Sequence, residues 1–169
     1  MNTLLEDTCP PQVIPILFVG NLLALKKKSG GIRPIAVGYV WRRLAAKCTN
    51  SSATTKLVDY FSRTQLGVGI PGGCAAAVHA TRRFIEFMPN GFVVAKLDFA
   101  NAFNILHRDA MLQAVADKVL EIYKFCYLSY QQSSILQFNR FKLLSNEGPQ
   151  HGDPLGPFPF CLTIHAHLT

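Results

Sequence analysis

The sequence has few acidic residues, and this shortage narrows the choice of partner. Its 169 residues contain 10 Asp and Glu against 17 Lys and Arg, which gives a formal net charge of +7 at pH 7. A positive excess suits a polyanionic partner such as nucleic acid or a nucleotide, although it also serves solubility. The composition therefore favours a nucleic-acid or nucleotide partner without identifying one.

The sequence also lacks paired cysteines and long apolar runs. Its five cysteines (Cys9, Cys48, Cys74, Cys126 and Cys161) are odd in number and include no C-x-x-C pair, which indicates reduced, mostly buried thiols. The apolar run over residues 13–25 is too short to span a bilayer. Glu6 and Asp7 precede it where a secretion signal needs positive charge. We expect an intracellular protein, nuclear or cytoplasmic, that is not secreted and has no membrane segment.

Several catalytic motifs are missing. The sequence contains no G-x-S-x-G, no Walker loop and no H-E-x-x-H. His165 and His167, with His151, give an H-x-H pattern that lacks the thiol spacing of a zinc site. These absences argue against serine hydrolases, P-loop enzymes and zinc proteases.

The chain is long enough for one compact unit or a piece of one. Residues 1–13, with Pro10 and Pro11, read as a loose lead-in, and order is expected from Ile14. Residues 18–38 predict a hairpin around the turn signal SGG, with Lys26–Lys28 on one arm and Arg33 on the other. Basic side chains therefore crowd one hairpin.

The remainder alternates helical and extended patterns. We expect the following elements: a helix over 39–63 interrupted at Asn50, Ser51 and Ser52; a helix over 74–88 packed on a sheet; a core strand from Gly91 to Asp98; helices from about Ala102 to Leu120 and on to Tyr130; a hairpin over 133–146 around Asn139 and Arg140; and a final apolar helix. Asp153 and Pro154 are expected as the N-cap and first residue of the final helix.

Three motifs occur in a fixed order: LALKKKSGGIRPIAVGYVWRRLAAK, KLDFANAFN and EGPQHGDPLGPFPFCLTIH. From about Gly20 to Thr169 the chain resembles reverse transcriptases, most closely those of non-LTR retrotransposons, while group II intron and telomerase-like polymerases share the general motifs. The resemblance implies an α/β (α+β) fold, with a basic β-hairpin and helices packed on a small, mostly antiparallel sheet. Residues 14–169 would be a partial reverse transcriptase domain with fingers and part of the palm, the thumb absent.

The resemblance implies an RNA-directed DNA polymerase, a nucleotidyltransferase that adds deoxynucleotides to a primer by two-metal phosphoryl transfer. Asp98 would be the first catalytic carboxylate and a ligand to Mg²⁺, and the backbone of Phe99 would supply a further ligand. The alternative for Asp98 is a solvated carboxylate that caps the following helix.

By the same resemblance, Phe103 would lie beneath the incoming sugar and exclude a ribose 2′-hydroxyl. Asn101 and Ala102 would direct backbone N–H groups toward the triphosphate. Taken alone, a Phe five residues after a strand end is more often part of the core.

The resemblance also assigns basic residues. Arg33, with Lys27 or Lys28, would hold the nucleotide's phosphates, and the alternative is a solvated charged turn. Arg42 and Arg43 would contact the template backbone or surface water.

The third motif departs from the family. Its usual Gln stands immediately before the Gly, whereas here His151 occupies that place and Gln150 precedes it. A neutral imidazole donates one hydrogen bond with a geometry unlike a carboxamide's. Gly152 still permits a close approach of backbone to ligand, so residues 150–152 are expected to line the nucleotide pocket.

Similar polymerases take two further carboxylates from a Tyr or Phe-x-Asp-Asp hairpin, which this sequence does not contain. We therefore expect a fragment that is inactive alone, with RNA template, DNA primer and deoxynucleoside triphosphates as partners of the intact enzyme. The missing C-terminal palm and thumb would be a further partner, and apolar faces are expected to lack cover. Two alternatives stay open, a non-enzymatic nucleic-acid-binding remnant and a pseudogene product of a retroelement.

Overall fold

The computed structural model describes residues 8–168, which form seven α-helices and one four-stranded sheet. In chain order the elements are α1 (Ile14–Leu17), β1 (Gly20–Lys26), β2 (Ile32–Gly38), α2 (Val40–Lys56), α3 (Val58–Phe61), α4 (Gly73–Glu86), a 3₁₀ helix (Ala102–Ile105), α5 (Arg108–Lys118), α6 (Leu120–Tyr130), β3 (Ser134–Phe138), β4 (Phe141–Ser145) and α7 (Pro157–His165). The expected lead-in over 1–13 lies outside the described residues for its first seven positions.

The sheet joins two hairpins in the order β2-β1-β3-β4. Both hairpins are antiparallel, and a short parallel pairing of β1 with β3 connects them. Gly30 and Gly31 turn the first hairpin with φ of 87° and 80°, a region that side-chain-bearing residues rarely adopt. The two predicted hairpins and the small, mostly antiparallel sheet are confirmed.

The core lies among α2, α3 and the last three helices. Its fully buried side chains include Phe61, Met111, Val115, Phe125 and Phe158. Buried aromatic and aliphatic area is the main favourable term in such packing. No helix within residues 8–168 is long and apolar enough to cross a membrane.

Two helix predictions are wrong in detail. Helix α2 runs without a break through residues 50–52, because Thr49 and Ala53 are buried against the core and packing overrides the weak local propensity. The expected single helix from Ala102 is instead a 3₁₀ helix, separated from α5 by extended backbone at Leu106 and His107. After this extended backbone, α5 begins at Arg108, whose side chain is buried.

The expected core strand from Gly91 to Asp98 is absent, and this is the largest correction. Residues 92–99 are irregular and exposed, with Val93 85% and Leu97 79% accessible. A strand needs a partner for its backbone N–H and C=O groups, and residues 8–168 provide none here. Helix α4, expected on a sheet, likewise leaves Phe84 and Ile85 exposed.

All five cysteines lie within the described range and are free thiols. The expectation that most are buried is wrong, because Cys48 and Cys74 are exposed and Cys126 is the one that is fully buried.

Candidate functional site

A cavity of about 220 Å³ brings together residues from two distant parts of the chain. Phe103 lines it from the 3₁₀ helix, and residues 150–152 line it from the loop after β4. Asp153, Pro154 and Pro157 complete the wall. Four of the residues predicted for a nucleotide pocket therefore do lie around one cavity.

The cavity has an aromatic wall. The half-buried Phe103 ring stacks on Phe160 with centroids 4.5 Å apart and an angle of 8° between the planes. The His151 ring meets Phe103 edge-on at 5.9 Å. Phe103 is thus held by Phe160 rather than free to swing, and Phe160 is a contributor that the sequence reading missed.

Gly152 places the loop against β2. Its φ is 111°, and a Cβ there would stand 2.7 Å from the carbonyl oxygen of Ala36 and 2.9 Å from Cγ2 of Ile35. One residue earlier, the carbonyl of His151 accepts a 2.7 Å hydrogen bond from the Ala36 N–H. In this structure the missing side chain at position 152 serves the contact with the first hairpin; a close approach to a ligand stays a prediction.

Behind the cavity, Arg42 is 2% exposed and its charge is neutralised by Asp153, with 2.5 Å between Nη2 and Oδ2. Its other terminal nitrogen, Nη1, donates to Oε1 of Gln150 at 3.1 Å. Tyr130 donates its hydroxyl to the same Asp153 oxygen at 2.7 Å. The terminal nitrogens of Arg42 and the hydroxyl of Tyr130 thus find acceptors inside this interior cluster, as burial requires, whereas Nε of Arg42 finds none within residues 8–168.

This cluster corrects the surface role expected for Arg42. Its guanidinium is enclosed and engaged, so it is not available to a template backbone, while Arg43 is half-buried beside it. Helical periodicity carries the signal that was missed, because position 42 lies on the same face as Ala45, Ala46 and Ala53, all buried.

The N-cap role expected for Asp153 is also wrong. Its Oδ1 accepts the Leu155 N–H at 3.0 Å, which closes a turn before the helix, and α7 begins only at Pro157. Pro154 lies in that turn and lines the cavity.

Burial and the Asp153 charge set the chemistry of the neighbouring groups. Burial, reinforced by the negative charge of Asp153, raises the pKa of the Tyr130 hydroxyl well above its ordinary value. The same two causes raise the pKa of the Cys126 thiol to about 12. Tyr130 is therefore a neutral hydrogen-bond donor, and Cys126 is an unreactive thiol.

A second buried guanidinium, which the sequence reading did not single out, anchors the start of the loop. Arg108 donates through Nε to the Gly148 carbonyl at 3.1 Å and through Nη1 to the Gln132 carbonyl at 3.0 Å. Its Nη2 donates to Oγ of Ser145 at 3.0 Å. Burial lowers the pKa of Arg108, with Arg42 adding a smaller effect in the same direction.

The predicted phosphate ligands lie elsewhere. Lys27, in the turn, and Arg33, on β2 opposite Leu25, are exposed, and neither lines the cavity. The hairpin tip is therefore a separate basic surface that also carries Lys26 and Lys28.

Asp98 and Phe99 also stand apart from the cavity, both exposed at the end of the irregular segment. Asn101, with φ of 54°, turns the chain into the 3₁₀ helix that begins at Ala102. Within residues 8–168 no three His, Cys, Asp or Glu side chains are close enough to hold a metal ion together. The donor set around Asp98 thus does not fit a pair of Mg²⁺ ions, each of which needs carboxylate oxygens.

No protein-family model matches the chain. The chain is similar to the retrotransposable element SLACS 132 kDa protein of Trypanosoma brucei gambiense, with 36% identity over 95 residues. The match covers 56% of this chain and 8% of the trypanosome protein, so the chain spans a small part of that relative. The similarity suggests a retroelement origin.

Proposed function

We propose that this chain is part of the RNA-directed DNA polymerase of a non-LTR retroelement, comprising fingers and part of the palm. The observation that carries the proposal is the cavity formed by Phe103 and residues 150–152, two segments that the motif resemblance assigns to one nucleotide pocket. The similarity to a trypanosome retrotransposable-element protein supports the same origin.

In this proposal the cavity receives the sugar of a deoxynucleoside triphosphate. The Phe103 ring closes the space that a 2′-hydroxyl would need, and it is stiffened by its stack on Phe160. His151 presents a ring N–H or a ring acceptor at the wall where the family usually has a Gln. Lys27 and Arg33 would reach the triphosphate from the hairpin.

Catalysis is not proposed for the chain by itself. Asp98 would be the first metal-binding carboxylate of the intact enzyme, with the carbonyl of Phe99 beside it. One carboxylate does not hold the two ions that phosphoryl transfer needs. We expect no primer extension by the 169-residue chain on an RNA template, and extension that Asp98→Ala abolishes would contradict this.

Sugar discrimination tests the pocket directly. We expect the chain to bind dGTP more tightly than GTP. Phe103→Ala should reduce the ratio of the two dissociation constants by roughly tenfold, since that change opens space for the hydroxyl. Isothermal titration of both nucleotides measures this. Phe141→Ala, at an exposed Phe on β4, is the matched control and should leave the ratio unchanged. Equal affinities for dGTP and GTP in the unmodified chain would contradict the proposal.

A second candidate function is non-enzymatic nucleic-acid binding, and the exposed basic hairpin favours it. Lys26, Lys27, Lys28 and Arg33 all reach solvent on one two-stranded arm. Such binding would weaken steeply with salt and would be indifferent to Asp98→Ala. Fluorescence anisotropy with a labelled RNA measures this: Lys27→Ala and Arg33→Ala together should flatten the salt dependence, and an unchanged affinity in Asp98→Ala would favour this candidate.

A further inference from the structure

The interior cluster consists of Arg42, Asp153, Gln150, Tyr130 and Ser134. Two of its members, Gln150 and Asp153, line the cavity, and the Arg42 guanidinium bonds both of them. Arg42 holds Asp153 at 2.5 Å and Gln150 at 3.1 Å, and Gln150 in turn donates to Oγ of Ser134 at 2.5 Å. These side chains come from α2, α6, β3 and the loop. Arg42 therefore ties the loop to α2, while Tyr130 ties it to α6 and Ser134 ties it to β3.

Arg42 forms hydrogen bonds to the loop at two positions, Gln150 and Asp153. Only His151 and Gly152, which line the cavity, stand between its two partners at positions 150 and 153. The Asp153 N–H closes the loop on the Gln150 carbonyl at 3.0 Å, and the His151 carbonyl is fixed to the Ala36 N–H at 2.7 Å. The Arg42 guanidinium thus fixes the two residues that flank this part of the cavity wall.

Stability alone does not account for an arginine at this place. A buried ion pair is often no more stabilising than well-packed apolar side chains of the same volume, because both charges lose hydration. Nε of Arg42 is also buried and finds no acceptor within residues 8–168, which costs further free energy. What the guanidinium supplies is two directed bonds from one rigid plane, which a lysine cannot reproduce.

We propose that Arg42 is a positioning residue: by bonding Gln150 and Asp153 together it holds His151 and Gly152 in the shape that admits a nucleotide. That the ligand is a nucleotide rests on the proposed function. The docking of residues 150–153 on β2 can be measured without any ligand.

The test compares the unmodified chain with Arg42→Lys and Gln150→Ala. Arg42→Lys keeps a charge opposite Asp153 and loses the bond to Gln150, whereas Gln150→Ala leaves the ion pair intact and so carries the test if the lysine variant fails to fold. Amide hydrogen exchange at Ala36 reports whether the loop is docked on β2, and Val119, bonded to Val115 in the core, is the internal reference.

We expect the Ala36 amide to exchange about tenfold faster relative to Val119 in both variants, as the loss of a bond from a charged donor predicts. Titration with dGTP should show a parallel loss of affinity of about tenfold. The control is Gln65→Met, which removes buried polar contacts to Cys161, in the middle of α7, and to His165 at its C-terminal end. Gln65→Met should lower stability and leave unchanged both the ratio of the Ala36 and Val119 exchange rates and the affinity for dGTP.

The outcomes separate the two proposals. Unchanged Ala36 exchange in both variants, or faster exchange with unchanged dGTP affinity, overturns the positioning role. If the unmodified chain binds no dGTP, the proposed function fails, and the exchange ratio alone then decides whether Arg42 positions the loop.

Discussion

At the scale of single residues, the two ion pairs of Arg42 and Lys56 differ in surroundings more than in chemistry. Arg42 and Asp153 are both buried and share their hydrogen bonds with Gln150 and Tyr130. Lys56 and Glu121 join α2 to α6 with both side chains about half exposed. Solvent screens the second pair and leaves it little net effect, whereas removal of one partner from the first leaves an uncompensated buried charge.

This contrast gives a matched pair of variants. We expect Asp153→Ala to lower the free energy of unfolding by about 3–5 kcal/mol, because Arg42 is then buried without its counter-charge. Glu121→Ala should cost much less, because solvent screens the pair with Lys56. Urea unfolding followed by circular dichroism measures both, and similar losses for the two variants would contradict the burial argument.

Gly31 and Gly152 both have positive φ, but only Gly152 is closely surrounded by other atoms. Gly31→Ala, in the open hairpin turn, should cost about 1–2 kcal/mol from backbone strain alone. Gly152→Ala adds a clash with the Ala36 carbonyl, so its loss should be clearly larger. The same urea titrations compare them, and an equal cost would mean that the loop is not pressed against β2 as the structure has it.

At the scale of elements, the sequence predicted correctly those turns and hairpins that adjacent residues determine. The SGG turn and the Asn139-Arg140 turn marked both hairpins, because the residues that turn the chain are adjacent in sequence. The strand expected up to Asp98 had the right composition, yet pairing depends on distant partners that composition does not report. The enclosure of Arg42 was readable from helical spacing, whereas its choice of Asp153, 111 positions away, was not.

Helix α4 and the segment after it carry apolar side chains with no cover in the described structure. Phe84 and Ile85 are each about half exposed. We expect the double variant Phe84→Glu, Ile85→Lys to change the free energy of unfolding by less than about 0.5 kcal/mol while reducing self-association, because the substituted face packs on nothing within residues 8–168. Static light scattering against concentration measures association, and Thr81→Glu on the same helix is the polar control. A loss of stability beyond about 2 kcal/mol would show that this face is packed after all.

At the scale of the whole molecule, the core holds two thiols and a phenol whose pKa values are raised. Burial raises the pKa of Cys126 to about 12 and that of Cys161 to about 11, from 9.0, and raises that of Tyr130 as well. Each group keeps its proton in the folded state at a pH where the unfolded chain has lost it. Their contribution to stability is therefore complete below about pH 9 and falls as the pH rises toward the folded-state pKa values.

Alkaline unfolding tests this sign. We expect the urea midpoint, measured under reducing conditions, to fall steadily from about pH 9 to about pH 11. Cys126→Ala should make this fall less steep, by at most the contribution of one titrating proton. Ser129→Ala, which removes a buried hydroxyl that does not titrate in this range, should leave the slope unchanged. A midpoint that stays constant or rises with pH would mean that these groups reach solvent. In that case water would reach the core around Cys126, which lies near the buried Asp153.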